Sequence, residues 1–182
     1  MKTLHKHFYL ISLISLSITF TSLGQQIEFN DASSTKLTSA AREIMTSTST
    51  CALITLDEEG RARVRAMDPF APESDFTVWF GTNSKSRKVS QIENDPRVTL
   101  YYLDGDASGY VMMHGTAELV NDPVEKEKRW KDAWEDFYKD KTEEYLLIKV
   151  SPVWMEVSST TRGIYGDTIT WEPPTILFDS VQ

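Results

Sequence analysis

The sequence has a single cysteine, Cys51, and three histidines among 182 residues. One cysteine excludes an internal disulfide, and its place at the start of an apolar run indicates a small core residue. Beyond the first seven residues His114 is the sole histidine. A zinc site built from Cys and His is therefore hard to assemble, and a haem with paired His ligands cannot form within one chain. We expect no metal site, and we interpret His114, in the middle of an apolar stretch, as a packed or interface histidine.

Basic residues are also scarce. The 19 Lys and Arg are outnumbered by 27 Asp and Glu, which gives a formal net charge of −8. Nucleic-acid binding depends on a positive face, so this composition argues against a nucleic-acid partner. The length suffices for one domain with a real core and is rather short for two.

Charged residues are absent from one early stretch, "FYLISLISLSITF" (8–20), which follows a basic start containing Lys2 and Lys6. This layout is typical of a secretory signal peptide, with Ser22 and Gly24 as small residues flanking the cut. The apolar run is too short to cross a bilayer comfortably. A buried or anchoring helix is the alternative interpretation. We expect cleavage after Gly24, a periplasmic or extracellular location, and no stable membrane anchor in the mature chain.

The rest of the chain alternates between strand and helix patterns. Hydrophobic runs bounded by turn residues predict six strands, at 50–56, 61–67, 76–82, 97–103, 109–120 and 144–157. Helical spacing predicts helices at 35–46, 84–95 and 122–140. Pro152 indicates a bulge or bend in the last strand. Hairpin-like turns with helices inserted between strands predict an α+β protein with a closed or partly closed antiparallel barrel.

The helix predicted at 122–140 follows the usual rules. Asp122 is a plausible N-cap, and Pro123 would occupy the first helical position. Four aromatic residues recur three or four positions apart, which indicates a stripe packed on the core rather than a stacking platform. These residues are Trp130, Trp134, Phe137 and Tyr138.

The helix predicted at 84–95 carries its charges in the reverse of the usual order. Lys85, Arg87 and Lys88 lie at its start, whereas Glu93 and Asp95 lie at its end. The helix dipole favours the opposite arrangement, and each misplaced charge costs about 0.3–1 kcal/mol. The predicted N-cap is a small polar residue, one of Thr82, Asn83 and Ser84. A bound anion would offset the cost, because a helix N-terminus is an anion site.

Residues near this helix start suit a phosphate. Ser86 supplies a hydroxyl, Arg87 a planar fork of donors and Lys88 a point charge. Arg63 and Arg65 share one face of the second strand, because side chains alternate along a strand, so a guanidinium from that face could meet the same anion. The alternative is a solvated patch balanced by nearby acids, namely Glu58, Glu59 and Asp95. The residues alone leave both interpretations open.

The stretch "VWFGTNSKSRKVSQIENDPRVTLYY" (78–102) resembles the FMN-binding split barrels of the pyridoxamine 5′-phosphate oxidase-like superfamily. In that family an aromatic strand ending in Thr precedes Ser-Arg-Lys, a Gln-Ile stretch, an Asn-Asp-Pro turn and another apolar strand. "GRARVRAM" before it and "GTAELVNDP" after it look like the general stress protein branch. The resemblance runs from about residue 50 to residue 157.

The resemblance implies a six-stranded antiparallel split β-barrel with flanking helices and an FMN cofactor. It implies a phosphate held by Arg65, Ser86, Arg87 and Lys88 with Thr82 close by, and a flavin ring edged by the backbone of Arg65, Ala66 and Met67. It also implies a homodimer with the flavin at the interface. A phosphate dianion would turn the unfavourable helix start into a favourable one.

Three departures exclude a true pyridoxal-phosphate-forming oxidase. Phe70 stands where those enzymes carry a lysine five residues after the strand arginine, and Gly81 replaces the usual aromatic before the threonine. The chain ends in "WEPPTILFDSVQ" rather than the Arg-Leu-His-Asp-Arg stretch that grips the substrate phosphate.

The expected protein is an exported FMN-binding split barrel. Its expected role is that of an oxidoreductase acting on a small acceptor, with no catalytic residue assigned. The alternatives are a flavin-binding stress protein without turnover and a cofactor-free barrel that serves as an interaction module. The expected organisation is a signal peptide at 1–24, a helical lead-in at 25–49, the barrel at 50–158 and an irregular tail at 159–182.

Overall fold

The computed structural model describes residues 31–178. Within that range the chain forms three α-helices, a short 3-10 helix at Asp132–Trp134 and seven strands. In chain order the elements are α1 Asp31–Ser47, β1 Cys51–Leu56, β2 Ala62–Met67, β3 Val78–Asn83, α2 Arg87–Asn94, β4 Arg97–Leu103, β5 Gly109–Val120, α3 Pro123–Lys128, β6 Tyr145–Ser159 and β7 Thr175–Leu177. The signal peptide predicted at 1–24 lies outside the described residues.

The strands form one antiparallel sheet whose ends do not join through a ladder. The pairing order is β2-β1-β4-β5-β6-β3, and β7 pairs with the second half of β6. The segment after β2 meets β3 at an isolated bridge between Pro69 and Phe80, where the Phe70 amide donates to the Trp79 carbonyl at 2.9 Å. The predicted α+β split barrel is confirmed, with one strand more than the six expected.

The core lies between the concave side of this sheet and α1. Leu37, Ile44 and Met45 of α1 are buried, and they belong to the same apolar cluster as Leu100 and Met113 of the central strands. No helix within residues 31–178 has the length and apolar character needed to cross a membrane.

Cys51 is buried at the start of β1, which confirms its assignment to the core. Burial raises the pKa of its thiol to about 12. The thiol therefore stays protonated at neutral pH and is a poor nucleophile.

The helix predicted at 122–140 is much shorter than expected. Asp122 caps α3 by accepting a hydrogen bond from the Glu125 amide at 2.9 Å, as predicted, but α3 ends at Lys128. The next residue, Arg129, is buried, forms ion pairs with Glu73 and Glu125, and places its guanidinium 3.6 Å from the centre of the Trp79 ring. A guanidinium anchored this way fixes the chain at Arg129, where the helix stops.

The aromatic stripe of that segment packs only in part. Trp130, Trp134 and Tyr138 surround the buried Tyr145, which confirms their packing role. Phe137, in contrast, is 73% exposed. The helical spacing that predicted four packed rings is interrupted by the 3-10 turn, so the fourth ring points elsewhere.

The end of the chain is more ordered than expected. Residues 175–177 of the predicted irregular tail form β7. Ile176 packs against the core, and Phe178 meets the Phe76 ring edge-on at 5.7 Å. Long-range packing of two apolar side chains therefore creates a strand that is too short to be recognised from its own pattern.

The ladder between β5 and β6 contains the bulge predicted at Pro152. Gly115 pairs with Pro152 whereas His114 pairs with Trp154, so Val153 is the extra residue. A Cβ on Gly115 would lie 2.5 Å from the Ser151 carbonyl oxygen and 2.8 Å from Val150 Cγ1. The bulge therefore requires glycine at this position.

Replacing Gly115 by alanine should lower the free energy of unfolding by about 1–3 kcal/mol, because backbone atoms must move to admit the methyl group. The measurement is urea denaturation followed by tryptophan fluorescence. Gly105→Ala is the control, since a Cβ there meets no atom within 4 Å. Equal stability of the two variants would contradict the tight bulge.

Candidate functional site

The start of α2 differs from its predicted form. The N-cap is Ser86, rather than Thr82, Asn83 or Ser84, and its side chain caps no backbone amide. The Ser86 hydroxyl instead lies 3.1 Å from Thr82 Oγ1, and Lys88 Nζ donates to these two oxygens at 3.2 and 3.0 Å. The first turn of α2 holds no acidic residue. Its backbone N–H groups thus remain free of a side-chain cap, beside two hydroxyls and an ammonium group.

A second group of polar side chains links β2 to α2. Arg65 donates to Thr55 Oγ1 and to Gln91 Oε1, both at 2.9 Å. Thr55 in turn donates to Gln91 Oε1 at 2.6 Å. Thr55 and Gln91 are buried, so they hold the Arg65 guanidinium in one orientation.

Thr55 and Gln91 were not predicted as site residues. A sequence signal existed for Thr55, which occupies an inward position of the apolar strand "CALITL". Gln91 lies in the Gln-Ile stretch of the family pattern, but its contact with Arg65 spans 26 positions. A contact of that kind follows from tertiary packing and leaves no local pattern.

Positive charge near α2 is not neutralised within the described part of the chain. Arg65, Arg87 and Lys88 form no ion pair with any carboxylate of residues 31–178. Burial, and then the charge of Arg65, lowers the pKa of Lys88. Burial also lowers the pKa of Arg65, with further contributions from Arg87 and Arg63. The folded chain therefore holds like charges together at an energetic cost that an anion would relieve.

Two of the three acids expected to balance a solvated patch lie against other partners. Glu59 pairs with Arg61, and Asp95 pairs with Arg97 at 2.6 Å. Arg63, considered with Arg65 as a possible anion ligand, is exposed and pairs with Asp57 at 2.8 Å. Arg63 is thus engaged by a carboxylate, although its charge still contributes to lowering the pKa of Arg65.

A cavity of about 360 Å³ opens beside these groups, at the gap between the ends of β2 and β3. Its lining includes Ala66, Met67, Thr82, Lys88 and Trp134. Of the seven site residues expected from the sequence, Ala66, Met67, Thr82 and Lys88 line this cavity, and Ser86 contacts two of them. Arg65 and Arg87 contribute charge at the same end of α2.

Gly81 and Phe70, the departures from the family pattern, both lie against Trp134. A Cβ on Gly81 would be 2.6 Å from the Trp134 ring, so that ring occupies the space beside the glycine. Phe70 meets the same ring edge-on at 5.8 Å. The space beside Gly81 is therefore filled by a side chain of this protein.

Within residues 31–178, no three His, Cys, Asp or Glu side chains are grouped in a way that could hold a metal ion. The donors at α2 are cationic or neutral, which suits an anion rather than a cation.

Comparison with known proteins agrees with the fold. A family model described as pyridoxamine 5′-phosphate oxidase like matches residues 36–166. General stress protein 26 from Bacillus anthracis str. Sterne has a TM-score of 0.60 at 21% identity, covering 79% of this chain and 97% of that chain. A protein related to general stress protein 26 from Clostridium acetobutylicum has a TM-score of 0.61 at 22% identity, covering 77% and 93%.

An F420 reductase is also similar, with a TM-score of 0.51 at 22% identity, covering 63% of this chain and 94% of that chain. At these identities the likeness to solved structures shows the fold alone. No curated protein matches the chain significantly.

Replacing Lys88 by methionine should raise the free energy of unfolding of the ligand-free protein by about 0.5–1 kcal/mol, because a partly buried cation held near Arg65 is removed. The measurement is the urea midpoint at low salt. Lys85→Met is the control, since Lys85 is exposed and precedes the helix. A lower midpoint for Lys88→Met would show that its bonds to Thr82 and Ser86 outweigh the repulsion.

Proposed function

From the premise that the chain belongs to the pyridoxamine 5′-phosphate oxidase-like family, we propose that it is a member of the general stress protein branch and that it binds FMN. The phosphate would lie at the start of α2 and the ring in the adjoining cavity. The observation that carries this proposal is the set of three cations, Arg65, Arg87 and Lys88, which have no carboxylate partner among the described residues beside an uncapped helix start. The fold itself is that of a flavin-type split barrel.

The donor set fits a phosphate monoester. Ser86 and Thr82 supply hydroxyls, Lys88 and Arg87 supply charge, and the first turn of α2 supplies backbone N–H groups. Arg65 is oriented in advance by Thr55 and Gln91, so little rotamer entropy is lost on binding. Riboflavin lacks the phosphate and would forgo all of these contacts.

We further propose a redox role, as an oxidoreductase acting on a small acceptor. When bound, the flavin supplies the electron-transfer chemistry, and the protein supplies position and charge. Burial raises the pKa of Tyr138, which lines the cavity, so its phenol stays protonated at neutral pH.

The competing role is that of a flavin-binding stress protein without turnover. The assay that separates the two roles is reduction of the bound flavin by a nicotinamide. Absence of reduction would favour binding without turnover.

FMN titrated into residues 25–182 should bind at least about 100-fold more tightly than riboflavin, because charge-assisted bonds to a phosphate are worth several kcal/mol. The double variant Arg87→Glu with Lys88→Glu should lose this preference, while Lys85→Glu, on the exposed approach to the helix, should keep it. Isothermal titration calorimetry measures all six combinations of protein and flavin. Equal affinity of the wild-type protein for the two flavins, or tight FMN binding by the double variant, would contradict the phosphate site.

We also propose that two copies associate through the convex side of the sheet. Ile54, Tyr101, Met112, His114 and Trp154 lie on that side, each half-buried in the single chain. The His114 ring lies 4.3 Å from the Trp154 ring, beside an open cleft of about 430 Å³. A sheet face of this apolar character favours a partner of the same kind, as in homodimer interfaces.

Met112→Lys should convert the dimer to a monomer, because the interface would have to bury an unpaired charge. Val124→Lys, which changes an exposed valine on α3, is the control and should leave the dimer intact. Light scattering after size exclusion gives the mass. A monomeric wild-type protein, or a dimeric Met112→Lys variant, would rule out this interface.

Export remains a proposal from the sequence, supported by the basic start and uncharged run of residues 1–24. The N-terminal residue of the protein recovered outside the cytoplasm identifies the cut. A chain retained inside the cell with residue 1 intact would refute it.

A further inference from the structure

We propose that Trp134, Phe137 and Tyr138, here called the aromatic wall, contact the flat ring of the ligand and make the site selective for aromatic phosphate esters over phosphate alone. The inference rests on the proposed phosphate site at α2. It assigns a ligand role to a segment whose helical spacing predicted core packing alone.

The aromatic wall and the anion-binding groups face the same cavity. Thr82 and Lys88 line it on one side, and Trp134, Phe137 and Tyr138 line it on another. Lys88 Nζ also bonds to Ser86 at 3.2 Å, so the cavity borders the start of α2. A ligand anchored there by its phosphate would extend its remaining part along the aromatic wall.

The central ring of the wall, Trp134, is fixed in place before any ligand arrives. The Trp134 ring lies edge-on to Phe70 at 5.8 Å and contacts Tyr145 at 5.6 Å. Gly81 leaves the space that this ring needs, because any Cβ there would lie 2.6 Å from it. Lys131, at the start of the same turn, pairs with Asp68 at the end of β2 at a distance of 2.7 Å. The segment is therefore anchored on both sides of the cavity, and little ordering is required on binding.

Phe137 is the member of the aromatic wall with the most exposed side chain. Its neighbours Trp134 and Tyr138 pack on Tyr145, whereas Phe137 remains 73% exposed. An exposed phenyl group at the edge of a cavity gains free energy when a flat apolar surface covers it. A ring system lying against Phe137 supplies that surface, and a bare phosphate or a sugar phosphate does not.

The charge of the wall suits an anionic ligand as well. Burial raises the pKa of Tyr138, so its phenol remains neutral at physiological pH. Lys131 is paired with Asp68, and Trp134 and Phe137 carry no charge. The wall thus adds apolar contact without repelling the phosphate.

The test measures the affinity of the wild-type protein, Phe137→Ser and Trp134→Leu for FMN and for ribose 5-phosphate, which shares the phosphate but lacks the ring. We expect each variant to bind FMN about 10-fold more weakly, since stacking on one aromatic side chain contributes about 1–3 kcal/mol. Ribose 5-phosphate, measured by competition, should bind the three proteins within about twofold. Trp171→Ser is the control, because Trp171 is 83% exposed on the tail and is absent from the cavity lining.

A second readout is the emission of bound FMN, which stacking on an aromatic ring quenches. Emission should be stronger in Trp134→Leu than in the wild-type complex. If Trp134→Leu fails to fold, Phe137→Ser still tests the inference, because the Phe137 side chain is 73% exposed and belongs to neither apolar cluster.

Four outcomes would overturn the inference, the last of them together with the proposed function. Wild-type FMN affinity in both variants would refute the wall and leave the phosphate site standing. An equal loss of affinity for FMN and ribose 5-phosphate would show that these residues support the fold rather than the ring. Failure of the wild-type protein to bind FMN while it binds ribose 5-phosphate would refute the wall as well, whereas failure to bind either would refute the proposed function itself.

Discussion

The missing ladder between β2 and β3 is the constraint on which the candidate site depends. Within residues 31–178 no ladder joins these two strands, and the segment after β2 meets β3 through the bridge between Pro69 and Phe80. The cavity lies between their ends, lined by Ala66 and Met67 from one side and by Thr82 from the other. A closed barrel would fill this space with paired backbone, so the split provides room for a ligand without removing any of the core.

The polar groups around this gap hold positive charges in place without a carboxylate partner among the described residues. Arg65 is held by neutral partners, Thr55 and Gln91, which orient its charge without cancelling it. Lys88 likewise donates to two hydroxyls rather than to a carboxylate. A carboxylate in either place would stabilise the free protein and compete with an incoming anion. Sites that bind a charged ligand commonly keep such repulsion between like charges in the free protein, because the ligand then supplies the opposite charge.

Most of the fold could be predicted because the strands carry local patterns. Alternating burial in β1, β4 and β5 follows directly from their sequences, and Pro152 marked the bulge. The reversed charges of α2 likewise predicted an anion site from a local pattern. Contacts between distant segments could not be predicted. At the end of α3, Arg129 packs on the distant Trp79 ring. In β7, Ile176 packs against the core.

Gly81 and Trp134 show how a site can keep its shape while its parts change position in the chain. The indole occupies space that a side chain at residue 81 would need, although 53 positions separate the two residues in the sequence. Residue 81 cannot take a larger side chain while the indole at 134 stays in place, because the two would occupy the same space. A comparison made one position at a time would therefore record a missing aromatic at residue 81, although the cavity has one from residue 134.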